Sequence, residues 1–126
     1  MADPGAGWEP ADTWVLASIG VYQRPCTLTE LIAAGDWMNH AIITEDELAR
    51  ALPRLVGSEL VRIFEDWTFE LTDEGATMFS AEHRSIEKQL DLIEDGLTSR
   101  TPEQTPVRLP PGAVERAIAD YQRGGS

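Results

Sequence analysis

Two threonine-initiated helix starts, at Thr27 and Thr44, constrain this chain more than any other feature. Each threonine is followed three residues later by a glutamate, Glu30 and Glu47, and then by apolar residues at helical spacing. In such a capping box the threonine hydroxyl accepts a free amide of the first helical turn, while the glutamate side chain reaches back to the threonine amide. The pattern therefore predicts two consecutive helices, the second of which ends at Gly57.

Two short runs of alternating apolar and polar residues follow these helices. The runs are Leu60–Phe64 and Trp67–Leu71, and Glu65-Asp66 between them supplies the turn, so together they predict a β-hairpin. Thr72 then begins a further capping pattern, which predicts one long helix continuing to about Leu97. The expected fold class is α+β, mostly α with a small two-stranded β-hairpin and a long C-terminal helix.

The domain boundaries follow from composition. Residues 1–11 are rich in proline and glycine and predict a disordered N-terminus in which Trp8 is the one anchor. Residues 12–98 are expected to form the folded domain with the long fourth helix. Residues 99–111 are typical of an extended Pro/Thr linker, and residues 112–126 predict a short C-terminal helix and tail.

Helices are also expected near both ends of the chain. Asp12 or Thr13 is placed to cap a first helix running to about Tyr22. The last helix, residues 113–122, carries an apolar stripe but is too short to persist alone in water. It must therefore dock on its own domain, on a second copy of the chain or in a groove of a partner protein.

The charge of the chain is strongly acidic. There are 22 acidic and 10 basic residues, a net charge of −12, and Lys88 is the only lysine. This excess disfavours binding to polyanions; it either keeps the surface solvated or selects a basic partner. Cys26 is the only cysteine and is expected to be a small buried hydrophobe, so no intrachain disulfide is available. With no apolar run of about 18 residues, these features predict a cytoplasmic protein without a membrane partner.

Three segments between Thr27 and Met78 carry a family resemblance. They are Glu47-Leu48-Ala49-Arg50-Ala51-Leu52 leading to Leu55, the strand start Glu59-Leu60-Val61, and Leu71-Thr72-Asp73-Glu74-Gly75. In these segments the chain resembles the winged helix-turn-helix domains of small bacterial regulators of the MarR-like and PadR-like type. The resemblance implies a helix in the DNA major groove and a wing, the hairpin, on the DNA backbone. On this hypothesis the DNA contacts are Arg50, Arg54 and Arg62.

The expected DNA-binding surfaces depart from that pattern in charge and in helix geometry. The second helix begins with three consecutive carboxylates, Glu45, Asp46 and Glu47. Pro53 lies inside the same helix and predicts a kink or a split near Leu52. We therefore expect a non-enzymatic winged-helix protein that acts through contacts with a protein partner. The alternative is a DNA-binding transcriptional regulator, whose DNA binding would be weak.

Residues suited to catalysis or metal binding are sparse. Asp36 and His40 have the spacing of an acid–base pair or half a metal site, but His40 also suits the negative end of a helix dipole. His83 falls on an apolar stripe, and one cysteine with two histidines provides no metal-ligand spacing. The sequence predicts no enzyme activity, no cofactor and no metal site.

The apolar stripe on the long helix has two interpretations. It consists of Phe79, His83, Ile86, Leu90, Ile93 and Leu97. The stripe either packs on the first helix of its own chain or forms the seam of a homodimer. A parallel coiled coil would set Glu82 against Glu87 of the partner helix, which disfavours that arrangement. We expect a homodimer, either antiparallel or packed with the first helix and its tryptophans.

Overall fold

The computed structural model describes residues 8–39, 42–79 and 86–124. Within these ranges the chain is mostly helical, with a small antiparallel sheet of three strands. The elements are α1 (Pro10–Gly20), β1 (Cys26–Thr27), α2 (Leu28–Asn39), α3 (Glu45–Gly57), β2 (Val61–Ile63), β3 (Thr68–Leu71), α4 (Asp73–Met78), α5 (Ile86–Thr98) and α6 (Ala113–Gln122). The predicted α+β class is confirmed.

Both predicted capping boxes are present. The Thr27 amide donates to the Glu30 carboxylate at 2.9 Å, and the Glu30 amide donates to the Thr27 hydroxyl at 3.1 Å. The same two bonds join Thr44 and Glu47, also at 2.9 and 3.1 Å. Each box satisfies amides that have no partner within the first helical turn, and this fixes where α2 and α3 begin.

Of the kink or split predicted in α3 near Leu52, the split is wrong. The helix continues through Pro53 to Gly57, the predicted end. Proline removes one backbone hydrogen bond, but the buried face of α3 holds the turns on both sides of it against the core. The buried apolar residues of that face are Leu48, Ala51, Leu52 and Leu55.

The hairpin is present, but the prediction of two strands is wrong because the sheet has a third. β3 lies in the centre, with β2 on one side and β1 on the other. β1 places Cys26 opposite Phe69 and Thr27 opposite Thr68. A strand of two residues is too short to show an alternating pattern, so β1 could not be predicted from periodicity.

The start of α4 is fixed against β2, and a glycine is required there. The Thr72 hydroxyl accepts the Gly75 amide at 3.1 Å, and the Thr72 amide donates to the Leu60 carbonyl at 3.0 Å. A Cβ atom added to Gly75 would lie 2.2 Å from the same Leu60 carbonyl oxygen. The backbone of α4 therefore approaches β2 more closely than any side chain allows.

The prediction of one helix from Thr72 to Leu97 is also wrong. α4 ends at Met78, and Phe79 leaves helical geometry with φ −97° and ψ 89°. The Phe79 ring packs on α1, where a Cβ added to Gly20 would lie 2.9 Å from the ring. After residues outside the described ranges, α5 packs against α1 as a separate helix.

Helix α1 occupies the middle of the molecule and contacts α2, α3 and α5. It begins at Pro10, inside the segment expected to be disordered, so that boundary was placed too late. Trp8 is the anchor that the sequence predicted, since its indole Nε1 donates to the Arg100 carbonyl at 2.9 Å. Residues 1–7 lie outside the described part of the chain.

The C-terminal segment docks on its own domain. The linker has no regular secondary structure from residue 101 to 110 and passes over the end of α3, where the Glu103 amide donates to Ser58 Oγ at 2.9 Å. Helix α6 packs on α2 and buries Val114 and Ala117. We expected this helix to dock on its own domain, on a second copy of the chain or on a partner protein, and the structure shows it on its own domain.

Candidate functional site

The predicted DNA-contact residue Arg54 is buried in an ion pair. Its guanidinium group donates to both carboxylate oxygens of Asp12, from Nε to Oδ2 and from Nη2 to Oδ1, each at 2.9 Å. Asp12 has no exposed surface, and the side chain of Arg54 is 8% exposed. Burial raises the pKa of Asp12, and the hydrogen bonds from Arg54 oppose that shift. Arg54 could not reach DNA without breaking this pair, which disfavours its predicted role as a DNA contact.

Arg50 is drawn into the same cluster by Glu9. The Glu9 carboxylate accepts from Arg50 Nε at 2.9 Å and from Arg54 Nη2 at 3.1 Å, so it joins the two arginines. Arg50 also forms an ion pair with Asp46, one turn earlier on α3. The hydrogen bond from Arg50 holds the pKa of Glu9 below its ordinary value. Both arginines of the helix expected to enter the major groove are therefore neutralised by carboxylates of their own chain.

The third predicted contact, Arg62, lies apart from this cluster on the hairpin. It stands opposite Glu70 across the two strands, and its Nε lies 3.5 Å from the Glu70 carboxylate. Half of the Arg62 side chain remains exposed. Such an exposed pair is worth little in stability and can open easily. Arg62 is thus the most accessible of the three arginines, although it faces a carboxylate.

Sequence reasoning missed the partners of these arginines. Glu9 was placed in a disordered segment, and Asp12 was interpreted only as a helix cap. The signal for Glu9 was local, because Glu9 precedes Pro10, which is favourable at the first helical position, and Asp12 follows three residues later. No local signal connects either residue to Arg54, which is more than 40 positions away along the chain.

A second candidate site is a groove between α1 and α5, defined here as the α1–α5 groove. It consists of two adjoining concavities of about 380 and 210 Å³ that share Pro10, Thr13 and Glu94. The first concavity is also lined by Trp14, Glu87, Leu90 and Asp91, and the second by Trp8, Glu9, Asp95, Leu97 and Thr98. The sequence contained a signal for this site, because the acidic residues of α5 recur at helical spacing along one face.

The predicted dimer seam is divided between the core and the groove. Ile93 is 0% and Leu97 1% exposed in the single chain, so these residues belong to its own core. Leu90 is half-buried in the α1–α5 groove, and Phe79 packs on Gly20. Ile86 begins α5, but its side chain and the whole of His83 lie outside the described residues. For Ile93 and Leu97 the structure thus supports packing within the chain, one of the two interpretations of the stripe.

The remaining candidate residues are Asp36, His40 and Cys26, and the structure does not bring the described ones together in a site. His40 lies outside the described ranges, and the Asp36 carboxylate accepts a hydrogen bond from the Tyr121 hydroxyl of α6. Cys26 is buried as predicted, and burial raises the pKa of its thiol to about 12. Among the described residues, no group of three or more His, Cys, Asp or Glu side chains is placed to hold a metal ion.

Two further findings concern the length and polarity of the helices and the similarity of the chain to known proteins. Over the ranges that the structure describes, every helix is too short or too polar to cross a membrane. No protein-family model, curated protein or solved structure matches the chain. The winged-helix assignment therefore depends on the order of elements and on the three resembling segments.

Proposed function

We propose that this chain is a non-enzymatic winged-helix protein that acts through protein–protein contacts. The observation that supports the proposal is that carboxylates of the same chain neutralise both arginines of α3. A helix that binds in the major groove needs cations free to meet phosphates and base edges. Arg50 and Arg54 instead bind Glu9, Asp12 and Asp46 of their own chain.

Exposed aromatic surface supports a protein partner. Trp37 on α2 is 66% exposed, which is unusual for a side chain of its size. Tryptophan is enriched in protein interfaces, because it buries a large area with few rotatable bonds. The acidic charge of the chain favours a partner with basic surface over DNA or RNA.

A DNA titration tests the proposal directly. Fluorescence anisotropy with a labelled random-sequence duplex should give a Kd weaker than roughly 10 μM at ~0.15 M salt. A Glu9→Gln, Asp46→Asn double variant removes the partners of Arg50 and should bind the duplex more tightly than the wild type. The control is Glu87→Gln, Glu115→Gln, which makes the same change in net charge on exposed residues of α5 and α6.

The opposite outcome would establish the alternative function. Sub-micromolar binding by the wild type, weakening steeply as salt is added, would identify a DNA-binding regulator. Arg50 and Arg62 are then the first residues to change to alanine, since both keep about half of their side chain exposed. An equal gain by the two double variants would show that only net charge matters.

The homodimer stays a prediction. Ile93 and Leu97 are buried in the core of the single chain, so among the α5 side chains that the structure describes, Leu90 and the 39% exposed Leu92 are the accessible apolar ones. A dimer formed through α5 would therefore use a smaller apolar surface than the full stripe predicts.

A further inference from the structure

We infer that the α1–α5 groove binds a basic, partly apolar segment of a partner protein. This inference depends on the proposed function, since it names the site and the chemistry of the protein contact. It is carried by three features of the groove: its shape, its aromatic floor and the charge of its rim.

The groove is continuous and partly apolar, as a site for a peptide must be. Its two concavities adjoin through Pro10, Thr13 and Glu94, so together they form one continuous depression of the kind that holds extended or helical segments. Trp14 and Leu90 are half-buried on its floor at one end, and Trp8 lines the other end. Apolar side chains of a ligand would lie against these residues and lose contact with water.

The charged side chains among the described lining residues are all carboxylates. Exposed carboxylates of α5 line the rim, and no lysine or arginine is among the described residues that do so. The carboxylates are Glu87, Asp91, Glu94 and Asp95. None of the four is held in an ion pair by a described arginine, in contrast to Glu9 and Asp12, which Arg50 and Arg54 hold. A guanidinium group placed here would meet carboxylates and also the face of a tryptophan, which attracts cations.

The same charge argues against two other occupants. A second copy of the chain also carries a net charge of −12, and each of two facing α5 helices would bring four carboxylates and one lysine, Lys88, to the contact. DNA and RNA are repelled for the same reason. A basic protein segment is the occupant that satisfies both the rim and the floor.

The test uses the whole chain and two tryptophan pairs that it already contains. A short peptide alternating arginine with leucine is titrated into ¹⁵N-labelled protein, and the indole N–H signals are followed by NMR. The signals of Trp8 and Trp14 should shift, whereas those of Trp37 and Trp67, which do not line the groove, should stay in place. A peptide alternating arginine with serine lacks the apolar side chains that would lie on the floor, and one alternating glutamate with leucine reverses the charge that would meet the rim. Both should bind more weakly than the arginine–leucine peptide.

Paired variants separate the groove from general charge attraction. Asp91→Asn, Glu94→Gln removes two charges from the rim, and Glu65→Gln, Glu103→Gln removes two exposed charges elsewhere. The rim variant should raise the Kd for the arginine–leucine peptide by roughly fivefold or more, and the control by less than about twofold. Both variants change exposed carboxylates only, so both should fold.

The outcomes distinguish this inference from the proposed function. Equal loss in the two variants, or equal shifts at all four indoles, would show unspecific attraction and overturn the inference. Absence of peptide binding while the DNA titration also shows none would reject this groove and leave the protein-contact proposal standing. Tight DNA binding would reject the proposal itself, and Trp8 and Trp14 signals that shift on dilution alone would identify a second copy as the occupant.

Discussion

Asp12 and Arg54 form a buried ion pair that ties the first turn of α1 to the last turn of α3. Arg54 Nε and Nη2 each donate to the Asp12 carboxylate at 2.9 Å, so the guanidinium and carboxylate groups meet through two parallel hydrogen bonds. Such paired geometry is the strongest form of arginine–carboxylate contact. In this structure Arg54, a predicted DNA contact, therefore connects α3 to α1.

Breaking this pair should destabilise the protein. Arg54→Ala leaves the Asp12 carboxylate buried without its partner, and we expect the free energy of unfolding to fall by about 3–5 kcal/mol. Urea unfolding followed by circular dichroism measures the change. The control is Arg50→Ala, on the same helix and also bonded to Glu9 but 45% exposed, which should lower stability by less than about 1 kcal/mol.

Replacing both partners should restore the loss. Asp12→Leu combined with Arg54→Met removes both buried charges, and buried pairs replaced in this way are often as stable as the original. If Arg54→Ala lowered stability no more than Arg50→Ala, the pair would be solvated in solution and the argument from burial would be wrong.

Glu30 should make stability depend on pH in the acidic range. The hydrogen bond from Arg24, 2.7 Å long, lowers the pKa of Glu30 from its ordinary value of 4.5. A carboxyl whose folded-state pKa is lowered stabilises the fold above its unfolded pKa, and the contribution is lost as the pH falls through the folded value. Glu30→Gln should therefore lower stability at neutral pH, by up to about 1 kcal/mol, and have no such effect below about pH 3.

A matched variant checks the cause of that dependence. Arg24→Met removes the largest cause of the lowered pKa and should reduce the same pH-dependent difference, while the Thr27–Glu30 box, which also lowers the pKa of Glu30, remains. Thermal unfolding across the acidic range provides the measurement. A difference between wild type and Glu30→Gln that persisted at the lowest pH would show that the effect is not the charge of Glu30.

Ile93 decides between the two interpretations of the apolar stripe. It is fully buried in the single chain, so Ile93→Ala should lower the free energy of unfolding by about 2–5 kcal/mol. Leu92→Ala, at a neighbouring position that is 39% exposed, should change it by less than about 1 kcal/mol. A wild-type Tm that rises over a roughly tenfold range of protein concentration would show that a second copy contributes to stability, whereas a constant Tm would count against the predicted homodimer.

Local signals explain which parts of the fold could be predicted. Thr27 and Thr44 find their glutamates within three residues, so α2 and α3 could be placed from the sequence alone. The end of α4 at Phe79 could not, because the ring packs on Gly20, far away along the chain. Short-range hydrogen bonds leave a pattern in the sequence, whereas packing between distant residues does not.

The same contrast between short-range signals and packing of distant residues applies to the candidate sites. The carboxylates of α5 recur at helical spacing in the sequence, a signal that our sequence analysis did not use, and the groove forms because α1 lies beside them. Arg54 was assigned to DNA binding because helical spacing places it beside Arg50. Asp12 reaches it from α1 through tertiary packing, which a helical pattern within α3 cannot reveal.

The C-terminal segment should stabilise the domain on which it docks. Helix α6 buries Val114 and Ala117 against α2, and the linker amide of Thr105 donates to the Pro53 carbonyl at 3.0 Å. Burying a valine side chain is worth about 1.5–3 kcal/mol, which in a domain of this size corresponds to a Tm change on the order of 10 °C. Deleting Thr101–Ser126 should therefore lower the Tm by about that amount in a thermal scan.

Two point variants in the full chain separate docking from the loss of residues. Val114→Asp places a charge in the α2–α6 contact and should reproduce most of the deletion's effect. Glu115→Gln, on the exposed side of the same helix, should leave the Tm within about 2 °C of the wild type. The amide hydrogens of residues 113–122 should exchange more slowly in the wild type than in Val114→Asp. If the deletion left the Tm unchanged and these amides exchanged freely in the wild type, α6 would be undocked in solution and available to a partner.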